Sequence, residues 1–224
     1  MNWEDEGFII SKRRFRENAI LLEVFTSKFG KSNGIVYGGT SRKIKNTLQL
    51  MNKIFIIYNS KGDDRLGYFK TELISPISPN FFNNKNKILC INSITSLLKS
   101  VLPENQPYEK IYNSLNSLLN NLSSDKWLIT YLIWEIGLIN DLGFGFSIDQ
   151  NNLKNLNNET VDIKLDNIRY NIPSFLISKN FNSLKERDIY NGLSFSRNLL
   201  ENKFFTPNNI RFPYSRKMFE KNFL

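Results

Sequence analysis

Between Lys12 and Lys45 the chain carries nine cations: Lys12, Arg13, Arg14, Arg16, Lys28, Lys31, Arg42, Lys43 and Lys45. Only Glu17 and Glu23 oppose them, a local excess of seven in a protein whose net charge is +9. Most of the surplus charge is therefore gathered in one window. A localised basic surface suits a polyanion, because each cation that meets a phosphate releases counterions into bulk solution. Phe8, Phe15, Phe25, Phe29, Tyr37, Tyr58, Tyr68 and Phe69 are interleaved with these charges. Exposed rings among them could stack on bases, although most must fill a core. The residues expected to touch nucleic acid are Lys12, Arg13, Arg14, Arg16, Lys31, Tyr37, Arg42, Lys43 and Lys45. An ordinary solvated face in a lysine-rich protein is the alternative reading.

Catalytic chemistry finds fewer residues to work with. There is no histidine and one cysteine, so Ser-His and Cys-His dyads and Cys/His zinc sites are excluded. Cys90 sits in the apolar pattern Ile88, Leu89, Ile91, Ile94 and reads as a core thiol, with no partner for an internal disulfide. Glu4, Asp5 and Glu6 with Asp63 and Asp64 could in principle hold magnesium for a nuclease, but their spacing does not gather them. The phosphate-loop pattern GxxxxGK[ST] is missing around Gly38-Gly39. The expectation is a protein with no catalytic residues, metal or cofactor. A strong chelator is accordingly expected to leave the melting temperature unchanged. A loss of several degrees that zinc restores would refute this.

Period-two alternation and β-formers place five short strands at Gly7–Ser11, Ala19–Ser27, Gly34–Gly38, Lys53–Asn59 and Gly67–Ile74. "KGDD" (Lys61 to Asp64) reads as the hairpin turn between the last two. Five glycine-punctuated strands in so short a length suit an oligonucleotide-binding (OB) barrel. Gly38-Gly39 is expected to turn the chain off the third strand and leave Arg42, Lys43 and Lys45 on a flanking loop. "SPISPNFFNNKN" (Ser75 to Asn86) breaks the pattern, and helical periodicity follows.

Ile88 to Val101, Tyr108 to Leu122 and the nearly all-apolar Trp127 to Leu142 predict three helices. Val161 to Leu165 and Ile168 to Ile172, turned at Asp166-Asn167, predict a small inserted hairpin. Helices resume at Lys185 to Asn202 and from Ser215. The fold class is thus α+β: an OB barrel over 1–76, then a helical bundle over 87–224 with a hairpin at about 160–173. Asparagine runs such as Asn83-Asn84 and Asn120-Asn121 fall between periodic segments and read as turns. The longest apolar stretch is too short and too interrupted to span a bilayer, and the acidic first residues lack a leader pattern. A cytoplasmic, nucleoid-associated protein with no membrane partner is expected.

Three segments carry a family resemblance: "NWEDEGFIIS" (Asn2 to Ser11), "LLEVFTSKFGKSNGIVYGGTSRK" (Leu21 to Lys43) and "WEIGLINDLGFGFSID" (Trp134 to Asp149). They resemble the bacterial DNA repair protein RecO family. "VDIKLDNIRYNI" and "FFTPNNIRFPYSRKMF" fall where that family has similar segments. The resemblance implies an N-terminal OB barrel, a helical domain with a small insert, and non-catalytic recombination-mediator work. That work comprises binding single- and double-stranded DNA, annealing complementary strands, and helping RecA onto DNA coated by single-strand-binding protein. The implied partners are RecR and the acidic, apolar C-terminal tail of single-strand-binding protein. Lys99, Lys110 and Lys126, bordering the apolar stripes, are the rim expected for that tail.

The chain departs from the family in three places. Some members hold the hairpin with four cysteines on zinc, so here packing alone must hold it. Arg often stands where this chain has Tyr37, and many members carry Arg where it has Ile133. A general RNA-binding barrel with a helical adaptor is the alternative function that composition leaves open.

Overall fold

The computed structural model describes residues 2–60, 66–145, 159–165, 168–182 and 184–223. The expected turns at Lys61 to Asp64 and Asp166-Asn167 lie outside them, as do Asp63 and Asp64. The described chain divides into two compact units, Met1–Asn113 and Ser114–Leu224.

The first unit is built on β1 (Asn2–Phe15), β2 (Ala19–Thr26), β3 (Gly30–Tyr37), β4 (Lys53–Asn59) and β5 (Tyr68–Ser75). They close into a barrel in the order β1-β2-β3-β5-β4, with β4 returning to β1. Closure rests on a short parallel contact at Ile35 and Tyr68; the other pairings are antiparallel. This is the OB architecture expected from the strand pattern. Alternate residues point inward, and Ile9, Ile20, Leu22, Val24, Val36, Ile54, Ile56 and Phe69 form the barrel core.

β1 is longer than the alternation suggested, because it serves two neighbours in succession. Asn2 to Phe8 pair with β4, whereas Ser11 to Phe15 pair with β2 alone, and the register shifts between Ile9 and Ser11. Such a bulge bends a strand and re-aims its side chains. Phe8, Ile9 and Ile10 are all buried, which period two alone would not allow. Helical residues of the same unit cover the outer face: Tyr112 packs on Phe8 and Phe25 at ring distances of 5.3 and 5.7 Å.

Between β3 and β4 lies α1 (Arg42–Thr47), where a loop was expected. Ile44 packs on the barrel core and Leu48 is buried, so one apolar spacing of i, i+4 suffices to turn the connection into a helix. After β5 comes α2 (Lys85–Val101), capped by the Asn84 side chain accepting from the Lys87 amide at 3.1 Å. α2 and the first residues of α3 (Glu109–Asn120) belong to the barrel unit, so the division falls later than the composition break at Ser75 to Asn86.

The second unit contains α4 (Trp127–Ile139), the hairpin β6 (Thr160–Leu165) and β7 (Ile168–Pro173), α5 (Ser174–Ser178), α6 (Glu186–Leu200) and α7 (Tyr214–Lys221). A wide turn at Asn140–Phe144 ends α4, with Gly143 at φ 86°. Val161, Ile163, Tyr170 and Ile172 are buried, and Tyr170 meets Phe195 of α6 edge-on at 6.3 Å. Packing therefore holds the hairpin. Among the described residues no helix is long and apolar enough to cross a membrane.

Glu135 sits inside the most apolar helix and is fully buried. Its carboxylate accepts from Nε and Nη2 of Arg216, from the Ser196 hydroxyl at 2.6 Å and from the Tyr131 hydroxyl at 3.0 Å. Arg216 also donates to Glu220 at 3.1 Å and to the Leu193 carbonyl at 2.8 Å. Arg197 reaches Glu220 and Glu201, and Lys217 lies 3.4 Å from Glu201. Burial alone would push the Arg216 guanidinium down, but Glu135, Tyr131 and Glu220 more than offset it and keep it charged. The network ties α4, α6 and α7 together.

Candidate nucleic-acid interface

The open end of β1 builds the basic surface. Arg13 and Arg14 pair with Leu21 and Ile20, while their other edge has left β4. The turn into β2 places Arg16 at φ 58°, with its guanidinium 5.4 Å from the Phe15 ring centroid. On the far side of β2, β3 ends at Tyr37, opposite Ala19. Gly38 follows at φ 68°, a conformation costly for most side chains, and Ser41 donates back to its carbonyl at 3.0 Å. A Cβ on Gly39 would come within about 3.1 Å of Ile20, so the chain hugs β2 as it turns. The glycine pair thereby carries α1 to the side of the barrel where β1 frays.

Two adjoining grooves result. One, of about 530 Å³, is lined by Lys12, Arg13, Arg14, Ile20, Thr40 and Lys45, with Glu17 and Asn18 at its end. The other, of about 450 Å³, shares Glu17 and Asn18 and adds Arg16, Gly38 and Tyr37. Five cations face one carboxylate across this surface. Tyr37 is 62% exposed, with its ring tilted against Tyr68 at 6.2 Å. That leaves a free aromatic face beside cations, the pairing that binds single strands without reading sequence. Tyr68 stands beside Tyr37 because the barrel closes at Ile35 and Tyr68, a contact that no local window of sequence contains.

The expected residues do not all share this surface. Arg42 and Lys43 are exposed on α1 but line neither groove. They occupy the first turn of a helix, where the dipole disfavours cations, so helix stability does not account for them. Lys12 lines the groove, yet its amine donates to the Leu48 carbonyl and to Gln49. Burial first, and Lys45 second, lower its pKa, so it is partly a structural lysine.

Lys31 has to be removed from the interface. It is buried opposite Phe25, six strand positions from Tyr37, or about 20 Å along β3. Its amine donates to the Lys99 carbonyl at 2.9 Å, supplying a cation to the last turn of α2. The backbone beyond is laced on: the Asn105 amide donates to the Lys31 carbonyl at 2.8 Å.

The carboxylates weighed for a magnesium site are also used structurally. Asp5 is buried and accepts the Lys28 amide at 2.8 Å, and Glu6 pairs with Lys53 at 2.7 Å. Among the described residues, no group of three or more acidic or thiol side chains could hold a metal ion.

The second unit presents an apolar groove of about 290 Å³, lined by Ile133, Ile136, Ile172, Leu176, Phe181 and Phe195, with Lys179 at the rim. Lys99, Lys110 and Lys126 do not line it, and the Lys99 amine already meets Ser11 at 3.2 Å and Glu23 at 3.8 Å. Lys179 ends the five-residue α5 in the left-handed conformation, a position that no periodicity in the sequence marks.

An OB-type barrel with a basic, aromatic-flanked groove, followed by a helical unit with an inserted hairpin, defines the class of protein. The family model "Recombination protein O N terminal" matches residues 1–77, and "Recombination protein O C terminal" matches residues 84–185. The chain belongs to the RecO family. It is 34% identical over 149 residues to the DNA repair protein RecO of Ruegeria sp. (strain TM1040), covering 66% of this chain and 62% of that protein. Against the DNA repair protein RecO of Hyphomonas neptunium it is 33% identical over 153 residues, covering 67% and 63%. Against that of Ehrlichia chaffeensis it is 32% identical over 159 residues, covering 70% and 64%. The matched part thus spans less than two-thirds of these relatives.

Proposed function

We propose that this protein is a non-catalytic recombination mediator in DNA repair, which binds DNA through the groove between the open end of β1 and α1. The observation that carries the reading is the convergence of Arg13, Arg14, Arg16, Lys45 and exposed Tyr37 on adjoining grooves from three separate chain segments. The cations hold phosphates and the ring stacks a base, so a single strand is bound with its pairing edges free. Two strands held that way meet a complement without first shedding secondary structure, which is strand annealing. In this reading it acts with RecR to load RecA onto DNA coated by single-strand-binding protein. The test is whether the purified chain accelerates pairing of two complementary oligonucleotides. No acceleration at any protein concentration, or equal acceleration of an RNA pair alone, rejects it.

The tail of single-strand-binding protein is assigned to the apolar groove of the second unit. Its apolar residues enter between Ile133, Leu176 and Phe181, and Lys179 meets a carboxylate. Ile133 is 47% exposed, so an Arg there adds a second cation without emptying the core. Ile133→Arg is expected to tighten binding of an acidic, apolar tail peptide several-fold, and Lys179→Glu to weaken it about tenfold. Unchanged affinity in both variants, measured by fluorescence anisotropy, would place the tail elsewhere.

A further inference from the structure

A second groove of the Ser114–Leu224 unit, about 530 Å³ in volume, lies between the β6–β7 hairpin and α6. Asn191, Ser194, Asn198 and Asn202 line it from one stripe of α6 and the turn after it, at spacings of three, four and four. Asp162 and Arg169 line it from the hairpin. Among the described residues, none of these six side chains has a hydrogen-bond or ion-pair partner. A helix stripe turned towards a hairpin normally presents apolar residues. A second observation is independent of the first: Tyr170, which also lines the groove, is 4% exposed and its buried hydroxyl has no partner. A native structure rarely leaves such a group unpaired.

The lining selects among ligands. One arginine against one aspartate leaves no net charge for a lone phosphate, which calls for converging cations. Carboxamides donate and accept side by side in one plane, which matches the edges of a nucleobase, and a carboxylate accepts from an exocyclic base amine. The volume lies in the range of small-molecule sites, about 300–1,000 Å³. We propose that this groove takes one unstacked, amine-bearing nucleobase of single-stranded DNA, with exposed Arg169 at the mouth meeting its phosphate. The proposal rests on the DNA-binding reading but concerns a different surface and a different chemistry, base edge instead of backbone.

The test is a titration of the isotope-labelled full chain with deoxycytidine and deoxyadenosine at millimolar concentrations, followed by NMR. Deoxyribose 5-phosphate serves as the base-free probe. The side-chain amide signals of Asn191 and Asn198 are expected to shift with the nucleosides and not with the sugar phosphate. Tyr170→Phe removes one oxygen and keeps the packing, and is expected to weaken nucleoside binding about three- to tenfold. Absence of shifts, equal shifts with the sugar phosphate, or unchanged affinity in Tyr170→Phe overturns the proposal. Oligonucleotide binding measured on the same sample separates the two readings. Binding without nucleoside shifts removes the groove alone, whereas nucleoside shifts without oligonucleotide binding leave the groove and remove the mediator reading.

Discussion

Replacing Arg13, Arg14 and Lys45 together by alanine is expected to weaken single-stranded DNA binding on the order of a hundredfold at about 0.1 M salt. These three line one groove from β1 and α1, and none has an ion-pair partner among the described residues. Each phosphate contact contributes about 0.7 to the slope of log affinity against log salt for single strands, so the variant should lose about two units of slope. Removing Arg42 and Lys43 instead should cost less, because neither lines the groove. The melting temperature should barely move, since exposed substitutions away from caps and cores stay within about 0.5 kcal/mol. Tyr37→Leu should lower affinity about fivefold to a hundredfold, the range for a stacked base, and leave the salt slope alone. A different role for the charges is testable in the same assay. Cations on an open strand edge also prevent edge-to-edge pairing. If the triple variant binds with the parent slope but aggregates, edge protection is their role and the nucleic-acid reading fails.

Arg216→Met should be the most damaging single substitution in the second unit. The guanidinium is fully buried and bidentate on Glu135, and it also reaches Glu220 and the Leu193 carbonyl. Removing it strands a carboxylate with no solvent access, and breaking a buried pair in this way costs about 3–5 kcal/mol. For a chain of this size that is a fall of roughly 6–20 °C in melting temperature. The double variant Glu135→Leu/Arg216→Met should recover much of the loss, because the stranded charge leaves with its partner. Glu220 keeps Arg197, at 3.0 Å. A double variant no more stable than the single one would mean that shape, and not charge, holds α7 in place.

These two sites differ in how far the amino-acid order revealed them. Five strands, the inserted hairpin and the succession of helices were legible because alternation and helical periodicity are local, set by which face each residue must bury. The basic window was legible for the same reason: charge excess is a property of neighbours in sequence. Its geometry was not. Lys31 and Lys45 look alike as residues, yet one caps α2 from inside the fold and the other faces a groove. That difference comes from strand register, which places Lys31 opposite Phe25 and Tyr37 opposite Ala19. The short helix carrying Arg42 to Lys45 forms because Ile44 and Leu48 find the barrel core, a contact no local window contains. Glu135, fully buried in an apolar helix, needs a partner, since charge is not buried unpaired. Which cation answered it, 81 positions away, was settled only when α7 packed on α4 and α6. Local pattern determines what each segment must bury; the closed barrel and the packed helices determine which charges remain to meet a ligand.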